Sequence, residues 1–371
     1  MNAYDDAGTK CGTTTSGSNG SYSLAHTCAG TNVRVEFTGW PTGYYEAPSG
    51  PSSGSAVQIV SANASNVNLG INHPCDYCQA NPLVLEATYV NGAINGSGQT
   101  QSVVSFNYDF SGAMTIEATK SEVGSTWGLA WNREHKMAFV SAVLKRHVGL
   151  GPGGLGAIYV TNFAVAGTPT TYLTAIPSVG TISGGARGLG NAPEPSFDTE
   201  AFAKTGKAGL GDLDISEDGK TLYVVNLDTK RVVSVNIANY LASGTLPTSG
   251  NIVSLPAYPT TICTNGSDRP WGMSVYRGKL YLGVVCDAAT GTAANLSARI
   301  YAYTFASSTW ASVFGPFALD YARGVAWRDA TANFHPWTDT GMPTGWNFSI
   351  SGFVAWTAAE ARWTYRSRPI E

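Results

Sequence analysis

The sequence predicts an all-β protein, in which a small β-sandwich is joined to a β-propeller. Segments that alternate apolar and polar residues, rich in β-branched and aromatic side chains, recur between Gly, Asn and Asp turns. Clear examples are Val33–Phe37, Thr221–Val225, Lys279–Val285 and Arg299–Tyr303. Helical periodicity is almost missing, and the two candidate helices, Pro195–Lys204 and Ile237–Ala242, are short.

The composition narrows the class of protein. The chain has 371 residues, enough for two domains, and its 43% hydrophobic content allows each domain to bury a core. Only 13% of residues are charged, about half the usual share, and 43 glycines accompany abundant Ser, Thr and Asn. A surface of hydroxyls and amides is typical of an extracellular or assembled protein. The net charge of −3 gives no electrostatic reason to expect a nucleic acid partner.

Localisation signals are sparse. No apolar stretch reaches the roughly 18 residues that a membrane-spanning helix needs, so we predict no membrane span. Met1–Tyr4 enters strand-like sequence at once. We therefore expect an exported, extracellular or cell-surface protein whose export signal lies outside this sequence.

The six cysteines fall into three couples that are close in sequence: Cys11 with Cys28, Cys75 with Cys78, and Cys263 with Cys286. An even count in a β-rich chain favours disulfide bonds and an oxidising compartment. Cys75 and Cys78 form the CxxC motif, which also occurs in zinc sites and in thioredoxin-like proteins. A zinc site would need a second pair of ligands, and a thioredoxin-like motif would need a βαβ context. We predict three disulfides, although the sequence alone does not fix the pairing.

Residues 1–74 are predicted to form the sandwich. Asn19-Gly20 is a typical hairpin turn and would connect the strand near Lys10–Thr15 to Tyr22–Leu24. Cys11 and Cys28 would then join neighbouring strands.

This region also resembles a known family. The run NAYDDAGTKCGTTTSGSNGSYSL, followed by VRVEFTGWPTGYY, resembles the SdrD B-like (Cna-B-type) repeats of bacterial surface proteins. The resemblance rests on a Tyr-Asp turn, the Asn-Gly hairpin, Glu36 and the Pro41–Tyr44 turn. It implies that the first strand of the family would precede Met1. Some members form a Lys–Asn isopeptide bond beside a buried Glu, but that lysine belongs to the missing strand. We therefore expect Glu36 to be an outward-facing carboxylate.

Residues 75–100 are predicted to be a linker. They follow Pro74, contain Pro82 and Asn95–Gly98, and show little apolar alternation.

Residues 101–371 are predicted to form about four propeller blades. Four segments share a small or acidic residue before an apolar alternation: Gly128–Trp131, Asp212–Ile215, Gly272–Val275 and Gly324–Trp327. Their intervals fit four-stranded blades of roughly 40–50 residues with insertions. Small residues suit the inner strands, because backbones converge at the axis of a propeller.

The blade signature is most specific at Gly209–Ile237, whose DISEDGKTLYVVN resembles the YVTN-type propeller repeat. Asp218-Gly219 supplies its tight turn. Arg269–Asp287 and Leu144–Asn162 are similar to large bacterial proteins that join SdrD B-like modules to such a propeller. The combined resemblance covers roughly residues 1–330. It implies an extracellular structural or adhesive role without assigned chemistry.

Motifs of catalysis are lacking in the sequence. It contains no GxSxG, HExxH, P-loop or EF-hand pattern, and its five histidines are dispersed. Gly149–Gly154 imitates a nucleotide-binding loop, but Pro152 and a following strand replace the helix that would bind phosphate. We predict no catalytic residue, metal or cofactor.

One candidate ligand site stands at the mouth of the propeller. Asp212 and Asp214 alternate on an inner strand, so both can line the channel. They could act in acid–base chemistry, bind a cation or ligand, or bond to the backbone of adjacent blades. Four further residues begin other blades and would either complete a glycan site or seal blade contacts: Trp127, Arg269, Trp271 and Arg323.

The sequence thus favours a non-enzymatic, extracellular structural or adhesive protein. Its expected partner is a second copy of itself, in a filament or surface layer formed through open β edges, or a surface glycan. The alternative is a propeller lyase or hydrolase, or a lectin, acting on extracellular carbohydrate. A carboxylate, a histidine and an arginine converging in one pocket would favour the enzyme.

Overall fold

The computed structural model describes residues 1–47, 50, 52–73, 81–165, 167–183, 187–192, 194, 196, 198–259, 263–321, 334–339 and 368–370. The chain divides into two compact units, unit 1 at Met1–Ala80 and unit 2 at Asn81–Ile370. Both consist of antiparallel β-sheets with short helices only in unit 2. The predicted all-β fold is confirmed.

The described residues of unit 1 form six short strands. They are β1 (Asn2–Tyr4), β2 (Lys10–Thr13), β3 (Asn32–Glu36), β4 (Tyr45–Glu46), β5 (Val57–Ser61) and β6 (Ile71–Asn72). One sheet has the order β2-β1-β3-β5, and β4 pairs with β6. Val33 and Val35 alternate on β3 and are buried with Ala3 and Phe37 in the core of this unit. The two-residue alternation predicted from the sequence therefore places Val33 and Val35 on the buried face of β3.

Unit 2 contains the remaining sixteen strands of the described chain. They are β7 (Leu83–Ala87), β8 (Gln101–Asn107), β9 (Thr115–Thr119), β10 (Thr126–Asn132), β11 (Met137–Ala142), β12 (Ala157–Asn162), β13 (Thr171–Ala175), β14 (Leu210–Ile215), β15 (Thr221–Asn226), β16 (Arg231–Asn236), β17 (Ile252–Ser254), β18 (Asp268–Tyr276), β19 (Lys279–Cys286), β20 (Ser297–Thr304), β21 (Thr309–Ala318) and β22 (Arg368–Ile370). Its helices are α1 (Lys120–Val123), α2 (Thr199–Lys204) and α3 (Ala238–Ser243), with 3₁₀ turns at Ser249–Asn251 and Ala293–Asn295. The last two helices fall where the sequence predicts short helices.

The strands of unit 2 form four four-stranded sheets within the described residues, which we number as blades. Blade 1 has the order β22-β7-β8-β9, and blades 2, 3 and 4 are β10–β13, β14–β17 and β18–β21, each in chain order. The first strands of blades 2, 3 and 4 contact one another in order, β10 with β14 and β14 with β18, and β10 also contacts β7, the second strand in the order of blade 1. Meandering four-stranded sheets that meet along their first strands are the arrangement of a β-propeller.

The prediction of a linker at residues 75–100 is wrong for Leu83–Ala87. Leu83–Ala87 forms β7, which pairs with β8 and β22 in blade 1. Val84 and Leu85 are 4% and 1% exposed, so this segment belongs to the core of unit 2. The run is short and follows Pro82, which is tolerated at the start of a strand but is also a common loop signal. Because of these two features, the sequence of the strand resembles that of a connecting loop.

Two of the predicted disulfides are confirmed. Cys11 and Cys28 are bonded in unit 1, and Cys263 and Cys286 are bonded in unit 2, each pair with Cα atoms 5.0 Å apart. The first bond joins β2 to the segment that runs beside it, where the Thr27 N–H donates to the Cys11 carbonyl. The second joins the loop before β18 to the end of β19. Cys75 and Cys78 lie outside the described residues.

The first strands of blades 2, 3 and 4 carry the same irregularity. On β10 two residues, Trp127 and Gly128, stand opposite one residue of β11, because Thr126 pairs with Ala142 and Leu129 with Val140. On β14 the register shifts in the same way between Leu210 and Leu213, and on β18 between Pro270 and Met273. One extra residue in one strand of an antiparallel pair is a β-bulge, which bends the strand and re-aims its side chains. The small or acidic residues that the sequence repeats, Gly128, Asp212 and Gly272, therefore lie at these bulges, and Gly324–Trp327 lies outside the described residues.

The bulge of blade 2 brings two backbones together. A Cβ placed on Gly128 would lie 2.5 Å from the Leu213 nitrogen of β14 and 2.6 Å from the Ser141 hydroxyl. Only a residue without a side chain leaves room for this approach.

We therefore expect Gly128→Ala to destabilise unit 2 by about 1–3 kcal/mol, because the backbone of β14 cannot move aside without disturbing blade 3. Gly250→Ala is the matched control, since a Cβ there would meet nothing closer than the Thr248 hydroxyl at 3.8 Å. The control should change stability by no more than about 0.5 kcal/mol. Urea unfolding followed by tryptophan fluorescence measures both. Equal midpoints for the two variants would contradict the close approach.

Candidate functional site

Asp212 and Asp214 join the first strands of blades 3 and 4. Asp212 Oδ2 accepts the Met273 N–H of β18 at 2.9 Å, and Asp214 Oδ2 accepts the Val275 N–H at 2.9 Å. The other carboxylate oxygens accept the N–H groups of Leu213 and Ile215 at 3.0 and 2.9 Å. Both side chains are buried, with 9% and 3% exposure. Of the three interpretations that the sequence left open, these contacts match bonding to the backbone of the adjacent blade.

The β14–β18 joint uses carboxylates where the β10–β14 joint uses a direct approach of two backbones. Asp212 occupies the bulge position that Gly128 occupies in blade 2, and Met273 corresponds to Leu213. At the β10–β14 joint the backbone of Gly128 itself lies near the Leu213 nitrogen. At the β14–β18 joint the Asp212 carboxylate reaches the equivalent N–H group of Met273. The first strands of neighbouring blades belong to different sheets, so these side chains supply hydrogen bonds that no ladder provides.

Trp127 and Trp271 lie together, as the candidate site requires. Their ring centroids are 5.9 Å apart, and Tyr89 stacks on Trp127 with centroids at 5.7 Å. The Lys145 ammonium lies 3.6 Å from the centroid of the Tyr89 ring, in cation–π contact. Trp271 is only 8% exposed and packs in the core of unit 2. These four side chains, which we call the aromatic row, connect residues of blades 1, 2 and 4 or their flanking loops.

The aromatic row has little ring surface to offer to a sugar. Trp127 is in contact with both Tyr89 and Trp271, and Trp271 is buried. Stacking against a glycan needs an open aromatic face, whereas these rings pack on one another. These contacts join residues of blades 2 and 4 and the segment after β7. A surface glycan as partner stays a prediction.

Arg269 points to a different set of partners. Its Nε atom donates to Asp287 Oδ2 at 2.8 Å, and its guanidinium lies 5.9 Å from the centroid of Trp337. Asp287 is fully buried and also accepts the N–H groups of Ser267 and Ala289 at 2.7 and 3.1 Å. This ion pair holds the loops at the end of β19, next to the Cys263–Cys286 disulfide. Arg323 lies outside the described residues.

Sequence reasoning missed two members of the aromatic row. Tyr89 follows β7 in the segment assigned to a linker, and the sequence gave no role to Lys145. The signal that could have found Tyr89 is the apolar run Leu83–Leu85 shortly before it, which forms the start of a strand in the structure.

A buried ionic cluster forms a second feature that the sequence did not reveal. Arg187 and Asp198 form an ion pair at 2.8 Å with side chains 4% and 0% exposed. Asp198 Oδ2 also accepts the His147 N–H at 2.8 Å, and His147 Nδ1 lies 2.7 Å from the Ser196 hydroxyl. Burial, with the positive charges of Arg146 and Arg187, lowers the pKa of His147 from 6.5 to about 4. The imidazole is therefore neutral in the folded protein at neutral pH.

Among the described residues, no group of three or more His, Cys, Asp or Glu side chains has the arrangement of a metal site. The described part of the chain also has no helix long and apolar enough to cross a membrane.

The chain is similar to the colossins. Colossin-C of Dictyostelium discoideum is 28% identical over 340 residues, which are 86% of this chain and 32% of colossin-C. Colossin-B of the same organism is 26% identical over 275 residues, 72% of this chain and 7% of that protein. Colossin-D is 25% identical over 252 residues, 65% of this chain and 26% of that protein. The chain thus spans about a third or less of the length of these relatives. No family model matches it.

Solved structures with partial similarity include a nidogen/laminin complex and the apo form of AztD from Citrobacter koseri. The first has 9% identity and a TM-score of 0.34, covering 63% of this chain and 61% of that chain. The second has 11% identity and a TM-score of 0.30, covering 80% and 65%.

We expect Asp214→Ala to lower the unfolding free energy of unit 2 by about 1–3 kcal/mol, because the N–H groups of Ile215 and Val275 lose their acceptor. Asp228→Ala makes the same chemical change at an exposed turn of blade 3 and should cost no more than about 0.5 kcal/mol. Chemical denaturation with near-ultraviolet circular dichroism reports the loss of packing around the tryptophans. A stability of Asp214→Ala equal to that of the control would contradict the role of the joint.

Acid should destabilise unit 2 through His147. Its pKa is lowered on folding, so the unfolded chain binds a proton that the folded chain excludes between pH 6.5 and about 4. The unfolding free energy should therefore fall as the pH falls through this window. His147→Asn should flatten that part of the curve, and asparagine tolerates the positive φ of 71° at this position. Parallel curves for the two proteins, measured by urea titration at a series of pH values, would rule out this linkage.

Proposed function

We propose that the chain is an extracellular, non-enzymatic structural module whose propeller serves as a scaffold. The observation that carries the proposal is the use of Asp212 and Asp214, which bond to the Met273 and Val275 N–H groups of the next blade. A catalytic carboxylate must reach the proton or atom on which it acts. Here the pair of carboxylates best placed for acid–base work is engaged in holding two blades together.

The two disulfides support the extracellular location. Disulfide bonds persist in oxidising compartments and are rare in the cytosol. In each unit the disulfide bond attaches a loop segment to a strand, which is a structural use of cysteine. The content of charged residues, only 13%, also favours a chain that packs against other chains, since little like-charge repulsion opposes contact.

Similarity to the colossins is consistent with this reading, because the chain covers only part of much longer relatives. Within the proposal, unit 1 corresponds to the SdrD B-like module and unit 2 to the YVTN-like propeller that the sequence resembles.

Self-association is proposed to use the sheet edge of unit 1. Within the described part of the chain, β5 pairs with β3 alone and stands at the edge of its sheet. Val57 and Ile59 on this strand are 51% and 74% exposed. An edge strand with exposed β-branched side chains is a template for pairing with another chain. The edge expected at the propeller is less suitable, because β7 pairs with β22 as well as with β8.

The test is the assembly state of the full chain at high concentration, by light scattering and electron microscopy. We expect the natural sequence to form oligomers or filaments. Ile59→Lys should give monomers, because a lysine on an edge strand blocks pairing with a second copy. Val253→Lys is the matched control on the edge strand β17 of blade 3, where Val253 is 58% exposed, and should leave assembly unchanged. A natural chain that stays monomeric would overturn the proposed assembly. Loss of assembly in both variants would contradict the specific role of the β5 edge.

A further inference from the structure

Six Asn-x-Ser triplets in the chain have the pattern of acceptors for N-linked oligosaccharides. They begin at Asn19, Asn63, Asn95, Asn265, Asn295 and Asn347. The last lies outside the described residues. A triplet becomes a modification site only where the folded chain leaves room for a bulky sugar, so exposure and contacts separate the other five.

Asn19 and Asn63 alone among these five have all three residues of the triplet exposed. At the first site, Asn19 Oδ1 accepts the Ser21 N–H at 3.1 Å and the Ser21 hydroxyl at 2.7 Å. This turn fixes the carbonyl oxygen of the side chain and brings the serine hydroxyl beside the amide. Those two hydrogen bonds leave the amide nitrogen, the atom that would carry the sugar, uninvolved.

The second site lies in the turn after β5. The Ala64 N–H donates to the Ser61 carbonyl at 2.9 Å, so the turn presents Asn63 at its tip. Ala64 and Ser65 are exposed as well. The triplet is therefore accessible along its whole length.

The other three triplets are packed into unit 2. A Cβ on Gly96, the middle residue of the Asn95 triplet, would lie 2.7 Å from the Gly190 carbonyl oxygen. In the Asn265 triplet, the Ser267 N–H donates to the buried Asp287 carboxylate at 2.7 Å. In the Asn295 triplet the middle residue, Leu296, is 1% exposed.

Asn19 and Asn63 also border one feature of unit 1. A groove is lined by Gly20–Leu24 from the first hairpin and by Ala62–Asn68 from the segment after β5. Its floor includes the core residues Val33 and Val35. The Tyr22 hydroxyl donates to the Val67 carbonyl between these two segments. The apolar interior of this small unit thus comes close to solvent between the two accessible triplets.

We propose that Asn19 and Asn63 carry N-linked oligosaccharides that cover this groove. The inference rests on the extracellular location in the proposed function. In the modification, the Asn amide nitrogen loses one proton to a base of the host transferase and forms a bond to C1 of the sugar. The bond from C1 to the phosphate oxygen of a polyprenyl-diphosphate-linked oligosaccharide breaks. The lipid diphosphate leaves with the electron pair of that bond.

The experiment uses the full chain secreted from a eukaryotic cell line behind a supplied signal peptide. Enzymatic release of N-glycans in ¹⁸O-labelled water converts each occupied asparagine to a labelled aspartate, which peptide mass spectrometry locates. We expect the label at Asn19 and Asn63. Ser21→Ala and Ser65→Ala should each remove one glycan and increase mobility on a gel by one step. Ser21→Thr and Ser65→Thr are the matched controls, because threonine keeps the acceptor pattern and the glycan.

Asn19→Gln removes the acceptor nitrogen in its natural position and keeps an amide, so it tests the site if Ser21→Ala disturbs the turn. Unlabelled Asn19 and Asn63 in secreted chain would overturn the inference, as would alanine variants with unchanged mobility. The outcome is separable from the proposed function. A glycosylated chain that never assembles would contradict only the assembly, and an assembling chain without glycans would contradict only the modification.

Discussion

The joint between the first strands of neighbouring blades is the constraint on which unit 2 depends. Strands of one blade satisfy their backbone groups through the ladder of their own sheet, but strands of different blades have no shared ladder. The chain meets this problem in two ways. Gly128 lets β10 approach β14 directly, and Asp212 and Asp214 extend carboxylates from β14 to N–H groups of β18. A shared β-bulge at the same place in each strand makes both solutions possible.

Aromatic residues near this joint also connect different blades, by packing rather than by hydrogen bonds. Trp127 and Trp271 come from the bulges of blades 2 and 4, and Gly211, at the equivalent bulge position of blade 3, has no side chain. Aromatic rings bury a large area, and these two contact each other across blades 2 and 4. In this region Trp127 packs against Trp271, and the carboxylates of Asp212 and Asp214 accept backbone N–H groups of β14 and β18.

The loops of unit 2 contain two buried ion pairs. Arg187 with Asp198 and Arg269 with Asp287 are both ion pairs whose carboxylates have no exposure. Burying a charge is costly unless it is paired and hydrogen-bonded, and each carboxylate also accepts backbone N–H groups of nearby loops. Breaking either pair would leave a buried charge uncompensated. These pairs therefore hold the connection before β14 and the loops at the end of β19.

The sequence by itself determined the all-β class and three of the predicted blade segments, and it placed the cysteines of each observed disulfide close together in the chain. Each depends on a local property, namely the two-residue period, the glycine and aspartate turns, and cysteines close in the chain. It also gave Asp212 and Asp214 a common face, because alternation along a strand is a property of the backbone. It did not reveal β7, because a short apolar run after Pro82 has no periodicity long enough to distinguish it from a connection. Only the tertiary structure decided the partners of the carboxylates, the contact of Tyr89 with Trp127, and the pairing of Arg187 with Asp198. These contacts join residues of different strands or loops, and their partners are set by how the sheets and loops pack.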